Sequence, residues 1–336
     1  MQNYLQEVEF LNNEKILVIN NYHGLLPSNK NKKYKVVIYC LIGEYIDSDD
    51  LISLLTSRYP NSYILIISPH LSLNKIKDKK FNGSFIHHWS GYASYYSKQM
   101  PKISLDLSHQ LEKYFLSLNN RASRSRHSLF HFIIKFNLID KFYYSYLFED
   151  REKIGQEKLF EKMQSIIGNG WFCLKEEWED KKKLIPVKLD NFDQNDWSYG
   201  NLEWYQKSFM SIVTESYGTF LTEKSMKPLA YGHPFIIIKS QGALSSLHQQ
   251  GFKTFNNFIN ESYDSNPDNI EVCLKEILRI SKLSIEYLND KKKDFKNIIE
   301  FNYNHFWNDL PNQDKFFIET ILKPKIYKIL NDNGIN

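Results

Sequence analysis

The chain has 336 residues, a length that fits two domains of ordinary size rather than one or three. Its 42% hydrophobic and 24% charged residues are those of a globular protein and exclude disordered and collagen-like chains. The net charge of +4 is a mild bias and not the concentrated basic stripe of a protein that lives on nucleic acid, so a nucleic-acid partner is not expected.

The first third alternates short apolar runs with polar, helix-compatible segments. Runs at 15–19, 34–42, 63–67 and 84–86 are continuous and rich in β-branched residues, the pattern of parallel strands buried on both faces. Between the second and third, the segment from Ser48 through Asp49 and Asp50 to Arg58 opens with capping residues and keeps helical spacing up to Pro60. This β-α-β rhythm predicts a wound α/β domain over residues 1–108, with active loops at the carboxyl ends of its strands.

A second α/β domain is expected over 109–310, followed by a helical tail at 311–336. It starts with a strand at 114–118, a polar loop from Asn119 to Ser125 and a helix at 126–136. A strand at 209–213, a helix at 222–231, a strand at 235–238 and a helix at 243–250 follow, the last closed by Gly251. Residues 269–288 have long helical periodicity, two more helical stretches run to the end, and 167–207 shows little regular pattern.

Cys40, Cys173 and Cys273 have no metal-ligand spacing and are expected as reduced, buried thiols, with no metal site. The start carries no basic-then-apolar signal, and no apolar run approaches the roughly 18 residues that span a bilayer. A cytoplasmic protein is expected. The basic and aromatic stretch 291–328 leaves a peripheral contact with the inner membrane face open, although lysine-rich solvated helix faces look the same.

Only six of the 43 basic residues are Arg, and three of those six are Arg121, Arg124 and Arg126. Lys, Asn and aromatic residues are abundant throughout, so their clusters carry little meaning, whereas an Arg is a costlier choice. A strand feeding an Arg-rich loop that opens a helix brings guanidinium groups together with free backbone N–H groups, the two devices that hold phosphate. A solvated basic loop at a domain junction would read the same way. In the segment 220–235, Thr222 is a credible N-cap. Lys224 in the first helical turn opposes the helix dipole unless something negative sits there. Glu223 beside it could accept hydrogen bonds from sugar hydroxyls.

The block Thr214-Glu215-Ser216, then Leu221-Thr222-Glu223-Lys224 leading through Pro228 and Gly232 to Pro234-Phe235, resembles the donor-binding core of family-10 fucosyltransferases and related glycosyltransferase-like proteins. The upstream segments 115–119 and 126–130 are similar to that family's strand, Ser-Asn and helix start. Residues 251–255, 260–264 and 300–305 also look like recurrent segments of such proteins. The resemblance implies a GT-B architecture, two facing Rossmann-like domains with C-terminal helices, the second domain holding a nucleotide-diphosphate sugar as co-substrate without a cofactor. It makes Arg126, Glu223 and Lys224 donor contacts, completed by Thr222, with Asn119 and Glu215 in the same donor-binding set. Phe220 stands where the family has Tyr, and Glu215 where Asn is usual. Glu261 and Asp264 read more simply as capping or turn residues.

A glycosyl transfer needs a base to deprotonate the acceptor hydroxyl while cations stabilise the leaving diphosphate. Candidates after a strand of the first domain are His23, in the segment 20–24, and His88, in 87–91. Asp47, Asp49 and Asp50 could suggest a divalent metal, but their place before a helix reads as a cap. The expected activity is therefore transfer of a sugar from a nucleotide-diphosphate donor to a hydroxyl of a glycan acceptor, metal-independent. The rivals are a glycosyltransferase acting on modified DNA bases and a catalytically inactive nucleotide- or glycan-binding protein of the same fold.

Overall fold

Val36 to Cys40 are wholly buried, as a strand must be when both faces of its sheet are covered. In the structure, a computed structural model, they form the centre of a four-stranded parallel sheet: β1 (Ile16–Asn21), β2 (Val36–Leu41), β3 (Tyr63–Ser68) and β4 (Gly83–His87), in that spatial order. The residues described are 15–21, 34–41, 48–68, 81–87, 97, 102–121, 123–149, 155–167, 172–184, 201–215, 221–238, 241–266 and 269–335. Register pairs Val37 with Leu17 and Ile64, and Tyr39 with Ile19 and Ile66. The two-residue period of a strand puts these side chains on one face, where α1 (Ser48–Arg58) covers them with Leu51, Ile52 and Leu55.

The second sheet is built from β5 (Lys113–Arg121), β6 (Phe142–Glu149), β7 (Ser208–Thr214) and β8 (Phe235–Ile238), all parallel, in the order β6-β5-β7-β8. Between β5 and β6 runs α2 (Arg124–Lys135), which packs against α3 (Gln156–Ile167) and α4 (Lys175–Lys181). α5 (Leu202–Lys207) leads into β7, and α6 (Glu223–Tyr231) joins β7 to β8. α7 (Ala243–Gln249), α8 (Asn269–Ser281), α9 (Ile285–Asp294) and α10 (Lys296–Asn304) follow. α11 (Leu310–Phe317) and α12 (Lys323–Asp332) close the chain, with π-helical turns at 305–309 and 318–322.

The fold class is thus α/β with two parallel sheets. Contacts divide the chain into one unit of residues 1–99, 218–220 and 306–336 and another of 100–217 and 221–305. The expected boundaries were 108 and 310, with the tail a piece of its own; in the structure the tail belongs to the first unit. Lys35 Nζ donates to the carbonyls of Asn333 and Gly334, both at 3.1 Å, and Lys325 Nζ to that of Phe85 at 3.4 Å.

Several elements differ from the sequence reading. The helix expected at 269–288 is two, because Ser284 caps a new one by accepting from Tyr287 N. β5 continues through Asn119 to Arg121, and α2 begins at Arg124 rather than at Arg126. β6 and α3, in a stretch that gave no expectation, complete the α/β unit. The expected disorder of pattern at 167–207 contains α4, whose Trp178 is fully buried. α6 ends at Gly232, which adopts the left-handed φ of 64° with His233 N bonded back to Pro228 O. A Cβ on Gly232 would stand 2.7 Å from Ile299 Cγ2, so glycine answers both to the turn and to the neighbouring helix.

Candidate functional site

The order β6-β5-β7-β8 makes the chain leave β5 to one side and β7 to the other. The carboxyl ends of β5 and β7 therefore flank a topological switch point, the place where open parallel sheets bind ligands. Both helices that start beside it have basic residues in the first turn: Arg124 and Arg126 in α2, Lys224 in α6.

The two sequence blocks meet there. Arg126 is 5% exposed and its Nε donates to Thr214 Oγ1 at 3.3 Å. Thr214 Oγ1 in turn donates to Asn119 Oδ1 in a short bond, joining residues 95 apart in sequence. Asn119 Nδ2 donates to Ser117 Oγ at 3.0 Å, Ser117 Oγ to Ile212 O at 2.8 Å, and Asn119 N to Ser145 Oγ at 3.1 Å. Asn119, expected in a loop, is thus a buried residue of β5 whose amide sets the position of Thr214 and through it the Arg126 side chain.

At the start of α6, Thr222 is the expected N-cap: its Oγ1 accepts from Lys224 N at 3.4 Å and from Lys224 Nζ at 3.1 Å. Lys224 Nζ also pairs with Glu223 at 2.7 Å, with both side chains about a quarter exposed. Burial pushes the Glu223 carboxyl up, but the charges of Lys224 and Lys227 outweigh it and hold the group below the usual carboxylate range. The negative group that Lys224 calls for is supplied by the chain itself. Glu215, 4% exposed, accepts from Thr222 N at 2.8 Å, Thr222 Oγ1 at 2.7 Å and Ser225 Oγ at 2.7 Å. The first turn of α6 is therefore neutralised from within the chain, by Glu223 beside Lys224 and by Glu215 on Thr222 and Ser225. No capping pattern could have shown it, because the carboxylate arrives from seven residues upstream of Thr222 rather than from within the first turn.

His23 and His88 lie outside the described residues, as does Asp47. Asp49 and Asp50 fall within α1, and Asp50 is exposed in its first turn, where a carboxylate favours the helix start. Glu261 is held by Thr254 Oγ1 at 2.8 Å and Phe255 N at 2.8 Å, and Asp264 by Leu244 N at 2.7 Å and Ser245 N at 2.9 Å. Both fix turns, as expected. Cys40, Cys173 and Cys273 are buried and free, and burial pushes the Cys40 thiol up to about 12. Among the described residues no group of three or more His, Cys, Asp or Glu could hold a metal ion, and no helix is long and apolar enough to cross a membrane.

Beneath α2 runs a buried polar chain that the sequence did not announce. Cys173 Sγ lies 2.6 Å from His131 Nδ1, His131 Nε2 lies 3.0 Å from His127 Nε2, and His127 Nδ1 lies 3.0 Å from Tyr146 Oη. Burial pushes His127 down to about 3 and His131 down to about 2, the latter helped by His127. Both imidazoles project from α2 itself and are kept neutral near pH 7 by burial.

A cleft lined by Leu105, Tyr205, Tyr231, Lys292 and Tyr303 lies at the amino-terminal edge of β7 and β8, the opposite edge from the convergence. In it Lys292 Nζ donates to the carbonyls of His109 and Gln206, at 3.2 and 3.0 Å. His233 Nε2 donates to Ser208 O at 2.9 Å and its Nδ1 accepts from Ser211 Oγ at 2.8 Å.

The chain matches no protein-family model and no curated protein. What the fold and site define is an α/β protein with basic helix starts gathered at the switch point of its second sheet.

Proposed function

We propose that the protein is a glycosyltransferase that moves a sugar from a nucleotide-diphosphate donor to a hydroxyl of a glycan acceptor, with its two units in a GT-B arrangement and no required metal. The observation that carries this reading is the meeting of Arg126, Asn119 and Thr214 with the Thr222-Glu223-Lys224 helix start at one switch point. That edge is where parallel α/β sheets hold nucleotides, and the order of the two blocks along the chain resembles the donor core of family-10 fucosyltransferases.

In this reading Arg126 binds the diphosphate and stabilises the negative charge that develops as the sugar–oxygen bond breaks. Lys224 adds a second cation, and Glu223, kept ionised beside it, accepts hydrogen bonds from ribose or sugar hydroxyls. His23 or His88, from the first unit, takes the acceptor's proton. A thermal-unfolding screen against nucleoside diphosphates and their sugars tests the proposal. A donor at about 100 times its Kd adds about 2.7 kcal/mol of stability; unchanged unfolding with the whole panel overturns the reading. Binding of a nucleotide sugar without transfer or hydrolysis would instead mark a catalytically inactive protein of the same fold.

A further inference from the structure

The start of α6 is filled from within. Glu215 follows β7 and its carboxylate takes four hydrogen bonds, from the backbone N–H and the hydroxyl of both Thr222 and Ser225, between 2.7 and 3.3 Å. A carboxylate so placed does what a bound phosphate would do: it occupies amides at the positive end of a helix and cancels the local dipole. Thr222 Oγ1 also links it to Lys224 Nζ. The start of α2 is different in kind. Ser123 makes no side-chain cap bond there, and the first turn holds Arg124 and Arg126 with no acidic residue.

We propose that Glu215 is a specificity-determining residue that closes the α6 amides to ligand phosphate. The anionic part of the ligand is thereby confined to the α2 side of the switch point. α6 meets the ligand through the side chains of Glu223 and Lys224 and not through its backbone amides. The buried Glu215 charge also repels a second anion brought against the same amides. The proposal rests on the nucleotide-sugar reading of this site, since it gives the two helix starts different roles toward one ligand.

The test compares pyrophosphate and nucleoside diphosphate binding, by calorimetry, in the wild type, Glu215→Gln, Ser225→Ala and Arg126→Ala. Glutamine keeps the shape and one accepting oxygen but removes the charge. Glu215→Gln is expected to bind pyrophosphate about tenfold more tightly than the wild type, the order of one charge at a helix terminus. Ser225→Ala, which keeps the charge and removes a donor, is expected to show no gain. A folded Glu215→Gln without gain, or an equal gain in Ser225→Ala, overturns the proposal. If Glu215→Gln does not fold in chloride buffer, rescue of folding by high phosphate supports it and failure in both buffers overturns it. The nucleotide-sugar reading fails separately: a wild type that binds no nucleoside diphosphate, with Arg126→Ala unchanged, removes that reading whatever Glu215→Gln does with pyrophosphate.

Discussion

At the scale of single residues, the Arg census carried far. With Arg scarce and Lys common, the cluster Arg121, Arg124 and Arg126 stands out; the resemblance selects Arg126 from it, and Arg126 lies at the switch point. The residues that position it did not stand out: Asn119 and Thr214 acquire their roles only when β5 and β7 pair, and a hydrogen bond across 95 residues leaves no trace in either segment. The same holds for Glu215, an acid with no local reason to cap α6.

The buried histidines give a pH prediction. His127 and His233 are both pushed down to about 3 by burial, and His131 down to about 2. Their folded values lie below the unfolded value near 6.5, so the unfolded chain binds more protons between the two. The stability they contribute is complete above about pH 6.5 and is lost as pH falls toward 3, at about 1.4 kcal/mol per pH unit for each independently titrating histidine. Urea unfolding followed from pH 7 to pH 4 should show the midpoint falling steadily; a flat midpoint would mean that these rings are not held neutral. At the proposed acceptor side, replacing whichever of His23 and His88 is the base by alanine should lower kcat about a hundredfold or more with donor affinity kept. Unchanged kcat in both variants would exclude them.

At the scale of elements, helix starts and stops were legible because capping is local. Thr222, Gly232 and Gly251 mark their boundaries in sequence and in structure. The two-residue error at the start of α2 matters more, since beginning at Arg124 puts two guanidinium groups in the first turn instead of one. β6 was missed because its aromatic run, Phe142 to Tyr146, buried except for Tyr143, shows no alternation, and its partner β5 lies elsewhere in the chain. Gly232→Ala tests the α6-to-β8 turn. It imposes a side chain on a left-handed backbone and drives it to within 2.7 Å of Ile299, so a loss of about 1–3 kcal/mol is expected in chemical unfolding. A loss within the error of measurement would show that the turn relaxes freely.

At the scale of the whole molecule, the alternation of strands and helices was enough to give an α/β chain with two sheets. Strand order was not, because each parallel strand reads alike whichever neighbour it takes. That order is what creates the switch point and brings blocks near 119–126 and 214–225 together. The carboxyl-terminal helices read as a separate tail for a similar reason: the ties from Lys35 to Asn333 and Gly334 join opposite ends of the chain. The account's central claim is that these converged blocks grip a nucleotide diphosphate. Calorimetric titration of nucleoside diphosphates into the wild type, Arg126→Ala and Lys224→Ala tests it most directly. Binding by the wild type that weakens about tenfold or more in each variant is the predicted result, and equal binding by all three proteins would contradict it.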